Sequence, residues 1–131
     1  MKIISPTMHG ALDYLTCGFF LIIPSLFNLY DGAATVCYLL AAGYLVISLC
    51  TNMPFGLFGL IPFWVHGGLE LVSGFVFIAS PWLFGFAHPA HNSENIGLRS
   101  LFIGVGVVFL IVYALTDWRA ATDVKNSSAT S

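Results

Sequence analysis

Charge is what this sequence has least of. Of its 131 residues only 8% are Asp, Glu, Lys or Arg, against about 25% in soluble domains, while 58% are apolar. No charged side chain occurs from Gly32 to Leu69, from Tyr14 to Tyr30, or from Ser100 to Thr116. A bilayer core of ~30 Å takes about 20 helical residues at ~1.5 Å each, so these stretches are long enough for spanning helices. Water is thereby excluded as the solvent of most of the surface. Four basic residues against six acidic ones leave no basic patch, which excludes nucleic-acid binding, and no acidic tail for a cationic partner. Cysteine is scarce and odd in number. Cys17, Cys37 and Cys50 lie in apolar stretches, so a disulfide framework is excluded and they read as small buried hydrophobes. Catalytic signals are missing too: no serine, cysteine or lysine stands beside a base, and no glycine-rich phosphate loop follows a strand. An enzyme has no positive support. The N-terminal stretch lacks a long apolar run and a small-residue cleavage site before Asp13, so no cleavable signal peptide is expected.

What remains is an all-α pattern of four transmembrane helices, predicted at Pro6–Phe27, Ala33–Thr51, Pro62–Phe84 and Ile96–Asp117. Ser5-Pro6 and Ile61-Pro62 each put a proline at the expected first helical position, where its missing N–H costs nothing. Residues 28–32 form a short turn, the glycine-rich run Pro54–Leu60 reads as an interfacial crossing, and 85–97 is the longest polar connection. One transmembrane domain spans 1–117. The polar residues 118–131 read as a disordered tail.

A repeat organises these spans. His9 and His66 are 57 positions apart, and so are Gly10 and Gly67, Leu12 and Leu69, Phe20 and Phe77, Pro24 and Pro81, Leu26 and Leu83, and Phe27 and Phe84. Those are seven identities over the 20 aligned positions 8–27 and 65–84, where composition alone gives on the order of two. After an eight-residue insertion the register resumes at 65, pairing Thr51 with Thr116, Tyr44 with Phe109 and Asn52 with Asp117. The sequence therefore predicts two tandem two-helix repeats, about 3–52 and 60–117, in a bundle with a pseudo-twofold axis along the membrane normal. Lys2, Arg119 and Lys125 flank one side and only Arg99 the other, so the positive-inside rule puts both termini in the cytoplasm.

The unit His9-Gly10-Ala11-Leu12-Asp13 recurs as His66-Gly67-Gly68-Leu69-Glu70, and i, i+4 spacing sets imidazole and carboxylate on one helix face. An unpaired carboxylate at that depth costs ~2.5–3.5 kcal/mol on insertion scales, so both couples are expected to turn inward and form an intramembrane polar network. The leading expectation is packing: each imidazole satisfies a carboxylate while the glycines let helices 1 and 3 approach. His9, His66, Asp13 and Glu70 are also candidate ligands for a metal ion, and His9 with His66 for a haem; otherwise no cofactor is expected. A proton or small-solute path is the third reading. Pro24 and Pro81 predict a kink or helix end, and Ser80-Pro81-Trp82 reads as a cap, a first-turn proline and an interfacial aromatic. His88, His91 and Glu94 read as a solvated loop.

Ser80-Pro81-Trp82-Leu83-Phe84-Gly85-Phe86 together with His9-Gly10-Ala11-Leu12-Asp13-Tyr14 resembles the SPW-repeat family of small integral membrane proteins across residues 3–117. The first copy carries Ile23-Pro24-Ser25 instead of the tripeptide, and Glu70 stands where Asp is more usual. The resemblance implies four spans in a bacterial-type inner membrane and supplies no activity. The expected function is thus structural or accessory, the expected partner the lipid bilayer, with a protein partner or homo-oligomer left open.

Overall fold

The computed structural model describes residues 2–29, 31–84 and 94–120, and its helices are α1 (Pro6–Leu26), α2 (Asp31–Cys50), α3 (Phe63–Leu83) and α4 (Glu94–Leu115). Every boundary falls within two residues of the prediction. All four are long and apolar enough to cross a membrane. Their outward faces carry Leu15, Leu39, Trp64, Phe75 and Ile111, all more than half exposed, while His9, Asp13, His66 and Glu70 are buried. An apolar exterior around an ionisable interior suits a hydrocarbon solvent, and the chain is a multi-pass membrane protein.

The helix ends follow from local chemistry. Ser5 is extended (φ −74°, ψ 161°) and its hydroxyl oxygen accepts from the Met8 N–H, with Pro6 next as the first helical residue. At the other end Asn28 adopts φ 48°, and the Leu29 N–H reaches back 2.8 Å to the carbonyl of Pro24. Asn tolerates the left-handed region and closes the last turn in this way. α3 departs from expectation, because Pro62 (φ −58°, ψ 142°) is its cap and not its first residue. Ile61 is held extended against the end of α2, donating 2.9 Å to the Cys50 carbonyl and accepting 2.8 Å from the Asn52 N–H. The Pro62 carbonyl then takes the first bonds of α3, from Val65 and His66.

Pro24 and Pro81 stand two residues from the ends of their helices, so they mark helix ends. The expected role of Ser80 is corrected: it is not an N-terminal cap but lies in the last turn of α3. Its buried hydroxyl donates 2.7 Å to the carbonyl of Phe77. That carbonyl is the one Pro81, lacking an N–H, cannot serve. Trp82 is 57% exposed beside it.

The backbones approach most closely within two hairpins, α1 with α2 and α3 with α4. In the second, a Cβ on Gly106 would stand 2.6 Å from the carbonyl oxygen of Gly74, so only glycine allows this approach. α1 and α3 meet through side chains. Phe20 and Phe77 stack at 5.4 Å with an interplanar angle of 9°, inside a core that includes Cys17, Ile23, Cys37, Phe102 and Phe109.

Candidate functional site

The four residues singled out in the sequence converge below the ends of α1 and α3. His9 is 0%, His66 1%, and Asp13 and Glu70 each 3% exposed. Asp13 is seven residues into α1, ~10 Å along its axis. Within the first unit, His9 Nε2 lies 3.5 Å from Asp13 Oδ1, as i, i+4 spacing predicts. The second unit does not close on itself. His66 Nε2 lies 3.2 Å from Asp13 Oδ2 and Glu70 Oε2 lies 3.7 Å from His9 Nε2, so the couples cross between helices. The reason is that α1 and α3 present these side chains to each other, with the two imidazole centroids 5.4 Å apart.

Two threonines fix the rings. His9 Nδ1 is 3.0 Å from Thr116 Oγ1 and His66 Nδ1 is 2.9 Å from Thr51 Oγ1. Each hydroxyl has one proton, and each spends it on the carbonyl four residues back, Thr116 on Val112 and Thr51 on Ile47, both at 2.7 Å. The hydroxyl oxygens can then only accept, so the hydrogen-bond network assigns the Nδ1–H tautomer to both histidines. Both Nε2 atoms consequently face the carboxylates with a lone pair. Neither has an aligned hydrogen bond despite the short distances, and Glu70 Oε2 has none either. Asp13 Oδ2 accepts 3.1 Å from the Ser48 hydroxyl. Lone pairs on two imidazoles and two carboxylates repel unless something positive lies among them: protons, or a metal cation.

Sequence reasoning missed Thr51, Thr116 and Ser48 as partners of this cluster. The signal for the threonines was present as a hydroxyl repeated at offset 65 at the ends of α2 and α4; Ser48 has no such mark, since position 113 is tyrosine. The expected role of the glycines is also corrected. Gly67 makes room for the Trp118 ring, 2.9 Å from where a Cβ would stand, and Gly10 for Phe55 at 3.0 Å. They admit aromatics from the α2–α3 connection and from the segment after α4, and not a close approach of α1 to α3. His9 is accordingly sealed by Trp118 at 4.8 Å and Phe63 at 5.4 Å, ring centroid to ring centroid.

A cavity of about 150 Å³ between α2 and α3 touches the cluster from the side, lined in part by Tyr44, His66, Glu70 and Ser73. The Tyr44 hydroxyl is buried there without a hydrogen-bond partner. Ser80 and Pro81 lie ten residues or more beyond Glu70 on α3, ~15 Å along the axis, so the tripeptide does not join the cluster. Pro24 lies as far from Asp13 on α1. His88 and His91 fall outside the described residues, and so does the side chain of Glu94. No protein-family model matches this chain, and neither the curated proteins nor the solved structures contain a match to it.

Proposed function

We propose that the chain is a structural or accessory membrane protein made of two tandem two-helix units, about 3–52 and 60–117, which the His–carboxylate cluster locks together. The observation that carries this is exchange. His9 of the first unit bonds Thr116 of the second, and His66 of the second bonds Thr51 of the first, at 3.0 and 2.9 Å. The backbone repeats the pattern, since Ile4 bridges Thr116 and Ile61 bridges Thr51. Residues 57 positions apart also meet, His9 with His66 and Phe20 with Phe77, both at 5.4 Å. Contacts of that kind support a pseudo-twofold axis relating the units. The two are eleven residues apart along α1, ~16 Å, which supports an axis running with the helices, as the proposed arrangement along the membrane normal requires.

Membership of the SPW-repeat family, a bacterial-type inner membrane and cytoplasmic termini belong to the same proposal. They draw support from the tripeptide at Ser80, where Ser and Pro act as a pair, and from Lys2 and Arg119 on the clasped side of the bundle. Other roles for the cluster have less behind them. A haem between the histidines finds Asp13 within 3.5 Å of both Nε2 atoms. A proton or solute path meets the apolar core of Cys17, Phe20, Ile23 and Phe77 beyond the cluster.

Asp13→Leu tests the locking role against the substitution His88→Ala between α3 and α4. Removing Asp13 leaves the Ser48 hydroxyl and the two Nε2 atoms buried without their carboxylate neighbour, and each buried polar group left unsatisfied costs about 1–3 kcal/mol. Asp13→Leu should lose most of its detergent stability and His88→Ala none. Equal stability of the two variants would sink the locking role.

A further inference from the structure

We infer that His9, His66 and Asp13 form a three-ligand site for a divalent metal ion of the zinc type within the membrane, its fourth position facing Glu70 and the cavity between α2 and α3. The inference deepens the reading of the same cluster and rests on its inward placement.

The donor set is right in kind and number. Catalytic and exchangeable zinc sites use three protein ligands from imidazole and carboxylate and keep one position open. The candidate ligand atoms of His9, Asp13 and His66 lie within 4.8 Å of one another. His9 Nε2 lies 3.5 Å from Asp13 Oδ1 and His66 Nε2 lies 3.2 Å from Asp13 Oδ2, so each imidazole has one carboxylate oxygen near the edge of roughly 3.3–3.4 Å that bonds of 2.0–2.1 Å make at a tetrahedral angle. The lone pairs are prepared as well: with Nδ1–H committed to Thr116 and Thr51, each imidazole offers Nε2, and both atoms are buried without a hydrogen bond. Metal-bound histidines almost always donate their other N–H to such an oxygen, which fixes the ring. Ser48 does the same for the carboxylate.

Charge favours a divalent ion over a monovalent one. Asp13 and Glu70 together bring two negative charges when ionised, and a divalent cation neutralises both inside a low-dielectric slab. Glu70 is the carboxylate placed beside the open position. It lines the cavity, 3.7 Å from His9 Nε2, with an unpartnered oxygen. The rings of Phe63 and Trp118 cover His9 from the clasped end, while the lateral cavity reaches His66 and Glu70 from between α2 and α3.

The test uses the full chain, purified in detergent, stripped with a chelator and titrated with Co(II) and Zn(II). The expected result is one Co(II) per chain, with the intense visible absorption of tetrahedral coordination, displaced by Zn(II), and a rise in melting temperature with either ion. His88→Ala/His91→Ala should bind unchanged. Asp13→Asn, close in shape to the native residue, should lose the band, Glu70→Gln should keep it with slower exchange, and Thr116→Val should weaken affinity by about 10–100-fold. A folded wild-type chain that binds no Co(II), or a band lost in His88→Ala/His91→Ala and kept in Asp13→Asn, would overturn the metal site. Neither result touches the locking role, which the stability of Asp13→Leu decides separately.

Discussion

Replacing Thr116 by valine asks whether the imidazoles are set by the threonines. The substitution keeps the shape of the side chain and removes one oxygen. The Val112 carbonyl loses the hydroxyl at 2.7 Å but keeps the Thr116 backbone N–H at 2.9 Å, so it stays satisfied. One group is orphaned, the Nδ1–H of His9, on a side chain with 0% exposure. An unpartnered buried donor costs about 1–3 kcal/mol in soluble proteins. Interhelical side-chain bonds in membranes average ~0.6 kcal/mol and reach ~1.7, because the unfolded chain in lipid also finds partners. Complete burial favours the upper part of that range, and a loss of ~1–2 kcal/mol lowers the folded-to-unfolded ratio by a factor of ~5–30. The assay is unfolding of the metal-free protein by titration with a denaturing detergent, followed by the fluorescence of Trp118, which packs on His9. Thr116→Ser should recover most of the loss, and Thr51→Val should match Thr116→Val because His66 is held the same way. Nitrogen NMR of the imidazoles should find Nδ1 protonated in both rings. Valine variants as stable as wild type, or rings carrying their proton on Nε2 alone, would refute the reasoning.

Ser80→Ala should cost about 1 kcal/mol, since the Phe77 carbonyl then has neither the hydroxyl nor a backbone donor from Pro81. In a Pro81→Ala background, where the backbone N–H is restored, the same change should cost almost nothing, and equal costs in the two backgrounds would contradict the pairing. Gly106→Ala should destabilise by about 1–3 kcal/mol, offset in part by helix propensity, because its Cβ meets the Gly74 carbonyl at 2.6 Å and the Ile78 nitrogen at 2.9 Å. Gly104→Ala, with nothing within 4 Å, should be neutral or stabilising by up to about 1 kcal/mol, and thermal unfolding in detergent separates the two.

The spans were legible because hydrocarbon imposes a one-dimensional rule, a length of chain without charge, that a sequence states directly. The inward placement of His9, Asp13, His66 and Glu70 was legible for the same reason, since an ionisable group at that depth has nowhere else to go. Which imidazole meets which carboxylate was not. The crossing of His66 to Asp13 depends on the rotation of α1 against α3, a three-dimensional quantity that spacing along one helix does not contain. Gly10 and Gly67 were recognised as small for a reason, but their neighbours, Phe55 in the α2–α3 connection and Trp118 after α4, lie in segments whose path no periodicity describes. Ser80 was misread because a serine before a proline looks the same at the start of a helix as in its last turn. Pro62 was misassigned because Ile61 is held extended by Cys50 and Asn52, a bond across the connection.

The two backbone clasps have a topological consequence. Ile3 and Ile4 bond the Leu115 carbonyl just as Leu60 and Ile61 bond that of Cys50, so each odd-numbered helix starts where an even-numbered one stops. From Ile3 to Asp117 the main chain is in effect a closed loop of four rods, joined at two places by the same pattern of hydrogen bonds. A circularly permuted chain, opened between Gly56 and Gly59 and sealed from Arg119 to Lys2, keeps all of these bonds and exchanges only which joint is covalent.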